Sequence, residues 1–173
     1  GSPYTAMLFM GEEWGASTPF QFFSSHPEPE LAQATAEGRK AEFAEHGWDA
    51  SKNGDIPDPQ DPQTFQRSKL DWDEMESGEH ARLLRVYRDL IALRHDDPDL
   101  ADPWLDHLAV DYDEDERWIV VRRGRLRIAC NLGAQAVTVP VTGEIVTAWG
   151  EPAVDAEGTL LEGHSFAILR AQT

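Results

Sequence analysis

A single cysteine, Cys130, is all the thiol chemistry in the 173 residues. No internal disulfide and no multi-cysteine zinc site can form from it, so a reducing compartment is expected and the cytoplasm is the expected location. Basic residues are also scarce: 15 Lys and Arg stand against 32 Asp and Glu, a formal net charge of −17. That charge repels phosphate backbones and anionic headgroups, so neither nucleic acid nor a membrane surface is expected as a partner. Long apolar runs are missing as well. Nothing approaches about 18 consecutive apolar residues, and Met7 to Met10 is far too short to span a bilayer. The first residues show no basic start followed by an apolar stretch, so no secretory signal is expected in them. The six histidines are scattered without metal-ligand spacing, and no metal site is expected. What is present is an apolar fraction of 40%, enough to fill a core, in a length that suits one ordinary domain or two small ones.

Prolines divide the chain unevenly, with eight of the eleven in residues 1 to 100 and period-two apolar patterns crowded after residue 105. Asp96-Asp97-Pro98 to Asp102-Pro103 stops a helix, because proline lacks an N–H and pushes its predecessor out of helical geometry. A boundary is placed there. In the first part, Ala6-Met7-Leu8-Phe9-Met10 is a continuous apolar run ended by Gly11, the pattern of a strand buried on both faces. Residues 28 to 46 read as a polar, Ala-rich helix opened by Pro27 and Pro29, with Arg39, Lys40 and Glu42 on a solvated face. Residues 47 to 77 read as a long structured loop with one helical turn near Gln63 to Ser68. The clearest helix covers 79 to 95, where Leu83, Leu84, Tyr87, Leu90 and Ile91 make one apolar stripe.

After the boundary, Leu108, Val110 and Tyr112 alternate with polar neighbours, as do Leu126, Ile128, Cys130 and Leu132 with Arg125, Arg127, Ala129 and Asn131. These read as half-buried antiparallel strands. Further runs at 118 to 121, 137 to 141, 145 to 149 and 166 to 169 bring the number to six or seven short strands, a β-sandwich pattern. Its expected core is Leu108, Val110, Trp118, Val120, Leu126, Ile128, Val139, Trp149, Phe166 and Ile168, with Cys130 as a small buried hydrophobe. The acidic run from Asp111 to Glu116 lacks the loop glycine of an EF-hand and reads as a hairpin turn.

Three motifs carry a family resemblance. They are Met7-Leu8-Phe9-Met10-Gly11-Glu12-Glu13-Trp14-Gly15, then Thr18-Pro19-Phe20-Gln21-Phe22-Phe23 leading to His26-Pro27-Glu28, and Asp58-Pro59-Gln60-Asp61-Pro62 followed by Thr64-Phe65 and Ser68-Lys69-Leu70-Asp71-Trp72. Together they resemble the amylase-type glycoside hydrolases of family 13, and among them the malto-oligosyltrehalose trehalohydrolase family. The resemblance implies an α/β plus all-β fold: the last strand and helices of a (β/α)8 barrel over residues 1–103, then an antiparallel β-sandwich over 104–173. It implies a C-terminal fragment of an enzyme that releases trehalose from maltooligosyltrehalose or a related α-glucan, with no cofactor, the remainder of the barrel being its partner. The family's three catalytic carboxylates lie on earlier barrel strands, and no motif here matches them, so no catalytic residue is assigned and this chain alone is expected to be inactive.

Within this stretch the segment after a barrel strand faces the active-site end. Glu13 and Trp14 are therefore candidate substrate-binding residues; Phe22 joins them as part of an aromatic platform on which a sugar could stack, and Gln60 as a hydrogen-bonding group oriented between prolines. Each has a plainer reading: Trp14 packs the rim, Glu13 bonds a backbone amide, the Phe20-Phe22-Phe23 cluster anchors a loop, and Gln60 with Asp61 braces one between prolines. Glu12 and Glu13 are adjacent and make a poor pair for retaining hydrolysis, which needs carboxyl groups about 5 Å apart across the bond. The other functional class is a self-standing, non-catalytic β-sandwich module that binds carbohydrate or a partner. Such a module has no use for a strand as apolar as Ala6 to Met10.

Overall fold

The structure, a computed structural model, describes residues 1–49, 52 and 54–171. The chain divides into two compact units, Gly1–Phe9 with Ala81–Thr173, and Met10–His80. Among the described residues no helix is long and apolar enough to cross a membrane.

The alternating stretch forms the strands β1 (Leu108–Asp113), β2 (Trp118–Arg123), β3 (Leu126–Asn131), β4 (Val137–Val139), β5 (Glu144–Trp149), β6 (Ala153–Val154), β7 (Thr159–Leu161) and β8 (Ser165–Arg170). They make a five-stranded sheet in the order β1-β2-β3-β8-β5 and a three-stranded sheet in the order β4-β7-β6. Every pairing is antiparallel, with Val120 opposite Ala129 and Ile128 opposite Ile168. The short strands β6 and β7 were not anticipated, because two or three residues leave no readable period. The acidic run closes the β1–β2 hairpin, where Asp113 Oδ1 accepts from the Asp115 and Glu116 amides, both at 2.9 Å.

The central strands are covered on both faces, not on one as the alternation predicts. Val120, Ala129, Ala167 and Leu169 pack with Val137, Val139, Val141 and Leu161 in one core cluster. Leu126, Ile128 and Ile168 turn the other way and pack with Leu100, Leu90 and Leu93. Consequently Ala129 and Asn131, read as outward residues, are buried. Three expected core or core-facing residues are solvent-facing instead: Val110 and Tyr112 because β1 is an edge strand, and Leu132 because it follows the end of β3. Trp149 is half-buried, with the Arg82 guanidinium 4.0 Å from its ring centroid. Cys130 is half-buried against the second cluster, and burial pushes its thiol up, which makes it a packing atom and a poor nucleophile.

The helix expected over 79 to 95 is α3 below, running Gly78–Asp96, and shares a unit with the sheets from Ala81 onward. Its expected stripe is covered only in part. Leu90 and Leu93 reach the second core, whereas Ile91 stays exposed and no residue of the helix is fully buried. Asp97, almost wholly buried, ends it: one carboxylate oxygen accepts from the Asp99 amide at 3.0 Å and the other pairs with Arg170 at 2.9 Å. Arg94 donates to the Ser2 and Tyr4 carbonyls, both at 2.7 Å, and ties the first residues to this unit.

The apolar run Ala6 to Met10 forms no strand, which corrects the expected last barrel strand in this chain. Met7 is 93% exposed, and Leu8, Phe9 and Met10 are about half exposed. A strand needs a neighbour for its N–H and C=O groups, and no strand of the described residues pairs with this run.

The unit Met10–His80 is built from short elements. A 3-10 turn at Glu12–Trp14 is followed by α1 (Pro29–Glu45), α2 (Pro62–Arg67), a second 3-10 turn at Trp72–Glu76 and the start of α3 (Gly78–Asp96). In α1, proline at the first position is pre-set for a helix and costs no hydrogen bond. No residue of α1 is fully buried, in keeping with its polar composition. Asp61 caps α2 by accepting from the Gln63 amide at 2.8 Å, with Pro62 next. Gly11 takes φ +90, and a Cβ there would lie 2.9 Å from Ala16 Cβ and 3.0 Å from a Leu70 methyl, so the turn into Glu12 needs glycine.

Ahead of β1, His107 Nδ1 lies 2.6 Å from Asp102 Oδ2. The Trp104 amide, then His107, hold the Asp102 carboxyl below its usual value, and the hydrogen bond to Asp102 raises His107 above its own. The raised His107 stabilises the fold fully below about pH 6.5 and loses that effect as pH rises through its folded value. The lowered Asp102 does so above about pH 4 and loses it as pH falls. The contact therefore helps most between those limits. Melting in low salt at pH 5.5 and 8.5 should show a small alkaline loss that shrinks in His107→Asn. An unchanged difference removes this contact as its source.

Candidate functional site

The four candidate residues all lie in the unit Met10–His80. The Glu12–Trp14 turn puts neighbouring side chains to different uses. Trp14 is only 1% exposed, and its ring centroid lies 5.3 Å from that of Trp72, tilted by 39°. Trp14 Nε1 donates to Glu74 Oε2 at 3.4 Å, and the Trp14 carbonyl lies 2.8 Å from His80 Nδ1. Glu13 folds back so that Oε2 accepts from the Gly11 amide at 3.0 Å. Glu74 was not singled out by the sequence. It gathers the Ser17 amide at 3.1 Å and the Ser17 hydroxyl, and these two hydrogen bonds, the hydroxyl's first, hold its carboxyl below the usual range. Contacts reaching across 57 and 60 residues leave no local pattern.

Gln60 is a brace between two loops. Its Oε1 accepts from the His26 amide at 3.0 Å, its Nε2 donates to Ser24 Oγ at 2.6 Å, and its own amide donates to Asp58 Oδ1 at 2.9 Å. Ser24 N also donates to the Pro59 carbonyl at 2.9 Å. Proline on either side of Gln60-Asp61 fixes the backbone that aims these groups. The Asp58-Pro59-Gln60-Asp61-Pro62 motif and the Phe20 to His26 segment are thus fastened side by side.

Phe22 lies in a different setting from the other three. It lines a cavity of about 210 Å³ with Phe20, Gln21, Arg39, Phe43 and Trp48. The Arg39 guanidinium carbon sits 4.4 Å from the Phe43 ring centroid and 5.2 Å from that of Phe22, while Nη1 bonds Glu42 Oε2 at 2.9 Å. Arg39 is therefore half-buried against rings, which corrects its reading as part of a solvated face. Phe43 and Trp48 meet edge to face at 5.3 Å, and Trp48 Nε1 donates to the Gly54 carbonyl at 3.0 Å. The described lining contains no carboxylate, so its chemistry is binding by rings, an amide and a guanidinium. The structure does not gather Glu13, Trp14, Phe22 and Gln60 around this cavity: of the four, only Phe22 lines it.

A family model described as a domain of unknown function (DUF3459) matches residues 103–168, which covers most of the sheets. Over 171 residues the chain is 71% identical to malto-oligosyltrehalose trehalohydrolase of Mycobacterium tuberculosis, a match over 99% of this chain and 29% of the relative. With the enzyme of that name from Arthrobacter ramosus it shares 52% identity over 98% of its length and 28% of the relative's. The chain is a homologue of malto-oligosyltrehalose trehalohydrolases, matching their C-terminal part. It spans less than a third of the length of these trehalohydrolases. Among solved structures, a Salmonella typhimurium protein given the provisional name alpha amylase superposes with a TM-score of 0.74 at 35% identity, covering 95% of this chain and 27% of that one. The trehalulose synthase MutB superposes at 0.54 with 17% identity, which shows shared fold alone. The structural neighbours are thus alpha-amylase-family enzymes, matched here by the mostly antiparallel sheets of this chain.

Proposed function

We propose that this chain is the C-terminal portion of a cytoplasmic trehalohydrolase, cleaving the α-1,4 bond next to the terminal trehalose of maltooligosyltrehalose by double displacement with retention. The 71% identity to the Mycobacterium tuberculosis enzyme, over nearly all of this chain and 29% of the relative, carries the reading. The exposure of the Met7 to Met10 run supports it: Met7 at 93% and Leu8 and Met10 at about half suit a strand whose neighbours lie in the rest of a barrel. In this reading residues 1–103 complete the barrel and 104–173 form the sandwich domain. The nucleophile and acid/base are supplied by the remainder of the enzyme. Phe22 and Glu13 touch sugar, while Trp14 and Gln60 shape the loops that hold them.

The test joins this chain to the Mycobacterium tuberculosis enzyme in place of its own C-terminal part. The chain alone should release no trehalose from maltooligosyltrehalose above a buffer control. The chimera should keep kcat/KM within about tenfold of the parent. A folded but inactive chimera, or turnover by the isolated chain, would overturn the assignment. An inactive chimera combined with glucan binding by the chain would favour the carbohydrate-binding module.

A further inference from the structure

We infer that Glu74 is a positioning residue for the reaction proposed above: it clamps the turn from Gly11 to Ser17 and so fixes where Glu13 presents its carboxylate. The reaction, and sugar as the group that Glu13 meets, rest on the proposed function; the clamp rests on geometry inside the unit Met10–His80. Gly11 and Gly15 flank the Glu12–Trp14 turn with φ of +90 and +64. Two glycines in the left-handed region give a turn ready alternatives, because neither carries a Cβ to exclude them. Its own closure is slight: the Gly15 amide donates to the Glu12 carbonyl at 3.1 Å and the Ala16 amide to the Gly11 carbonyl at 2.8 Å. Its orientation must therefore be set from outside.

Glu74, on the Trp72–Glu76 turn, supplies that hold. Its Oε2 accepts from the Ser17 amide at 3.1 Å and the Trp14 indole at 3.4 Å, and its Oε1 accepts from the Ser17 hydroxyl. Trp72 also packs on Trp14, but ring packing is non-directional, whereas a hydrogen bond weakens steeply away from its preferred angle. Both Glu74 oxygens are engaged on the turn, so Glu74 acts through it. Glu13 is placed differently. Its Oε2 accepts from the Gly11 amide at 3.0 Å, and its Oε1 has no partner among the described residues. A carboxylate oxygen only accepts, so this one suits a hydroxyl donor. Displacing such a group by about 1 Å can cost on the order of 100-fold, which gives the clamp its importance.

In the isolated chain, Glu74→Ala should lower the backbone order parameters of residues 12 to 17, read by NMR relaxation, from the rigid value of about 0.85 to below about 0.6. Glu76→Gln, which removes a charge from an exposed position of the same turn, should leave them unmoved. In the chimeric enzyme Glu74→Ala should raise KM about fivefold or more while kcat stays within about twofold, the mark of lost binding. Glu74→Gln keeps one acceptor oxygen and offers a donor to the Ser17 hydroxyl, so it should raise KM less. Glu13→Ala should raise KM by itself, and adding Glu74→Ala should cost less than about twofold more, because no carboxylate is left to aim. Unchanged order parameters, additive KM losses in the double variant, or a fall in kcat that follows the folded fraction would overturn the positioning role. A chimera inactive before any substitution would overturn the proposed function and this role with it, whereas additive losses in an active chimera overturn this role alone.

Discussion

Asn131→Ala is expected to destabilise the sheet-containing unit by about 3 kcal/mol or more. Asn131 closes β3 with its side chain 1% exposed. Its Nδ2 donates to the Gln135 carbonyl at 2.7 Å, the Glu162 carbonyl at 2.8 Å and the Leu161 carbonyl at 3.2 Å, and its Oδ1 accepts from the Gly133 amide at 2.9 Å. One side chain thus holds the loop after β3 to the turn between β7 and β8. Its two amide hydrogens serve three carbonyls, the 3.2 Å contact to Leu161 sharing one of them, so alanine removes about three full hydrogen bonds, each worth about 1 kcal/mol net and more where water cannot reach. Asn131→Asp should be no better, since a carboxylate has no donor for the three carbonyls. Urea unfolding followed by circular dichroism checks both variants. A loss below about 1 kcal/mol for Asn131→Ala would mean that water replaces the amide in this loop clamp.

Asn131 also shows where the sequence stops being informative. Period-two alternation places the longer strands to within a residue or two, and it correctly puts Val120, Leu126, Ile128, Val139 and Ile168 in the core. Alternation cannot show that the polar phase of β3 is covered as well, because the covering layer comes from Val137, Val139 and Leu161, which lie elsewhere in the chain. Ala6 to Met10 fails for the complementary reason. Its apolar content is compatible with a buried strand, yet strand formation depends on a neighbour that these residues do not carry. The helices were legible from prolines and periodicity, while the exposure of Ile91 depends on how much opposing surface exists.

The candidate site divides in the same manner. Gln60 between two prolines reads as a fixed group, and the structure gives it three hydrogen bonds. Phe22 reads as an aromatic in a cluster of three, and its contact with Arg39 brings in a helix 17 positions away, which no local motif encodes. Gln21 and Glu74 acquire their settings from contacts of longer range still, to Ser68 and to Trp14 and Ser17. Motifs record residue types at short spacing, whereas a cavity is made by segments that the motifs do not connect.

Trp14→Ala should have the largest effect of all on the unit Met10–His80, at about 3–5 kcal/mol, the usual cost of deleting a buried large aromatic. Few side chains in that unit are fully buried: Trp14, Pro59 and Thr64 are the ones among its described residues with almost no exposure. The Trp14 side chain reaches the Trp72–Glu76 turn through the Trp72 ring and Glu74, and its main-chain carbonyl reaches His80, so that turn and the start of α3 meet at one residue. Hydrogen exchange should therefore show lost protection across 12 to 76 in the variant, with β2 and β3 still protected by their own core. Trp14→Phe keeps one ring while giving up the 3.4 Å bond to Glu74 and some buried volume, so it should recover more of the protection than alanine does. In the chimeric enzyme, kcat/KM should fall with the folded fraction in Trp14→Ala and fall less in Trp14→Phe. The opposite pattern, full protection in Trp14→Ala with kcat/KM reduced by about tenfold or more, would make Trp14 a sugar contact and not the anchor of its unit.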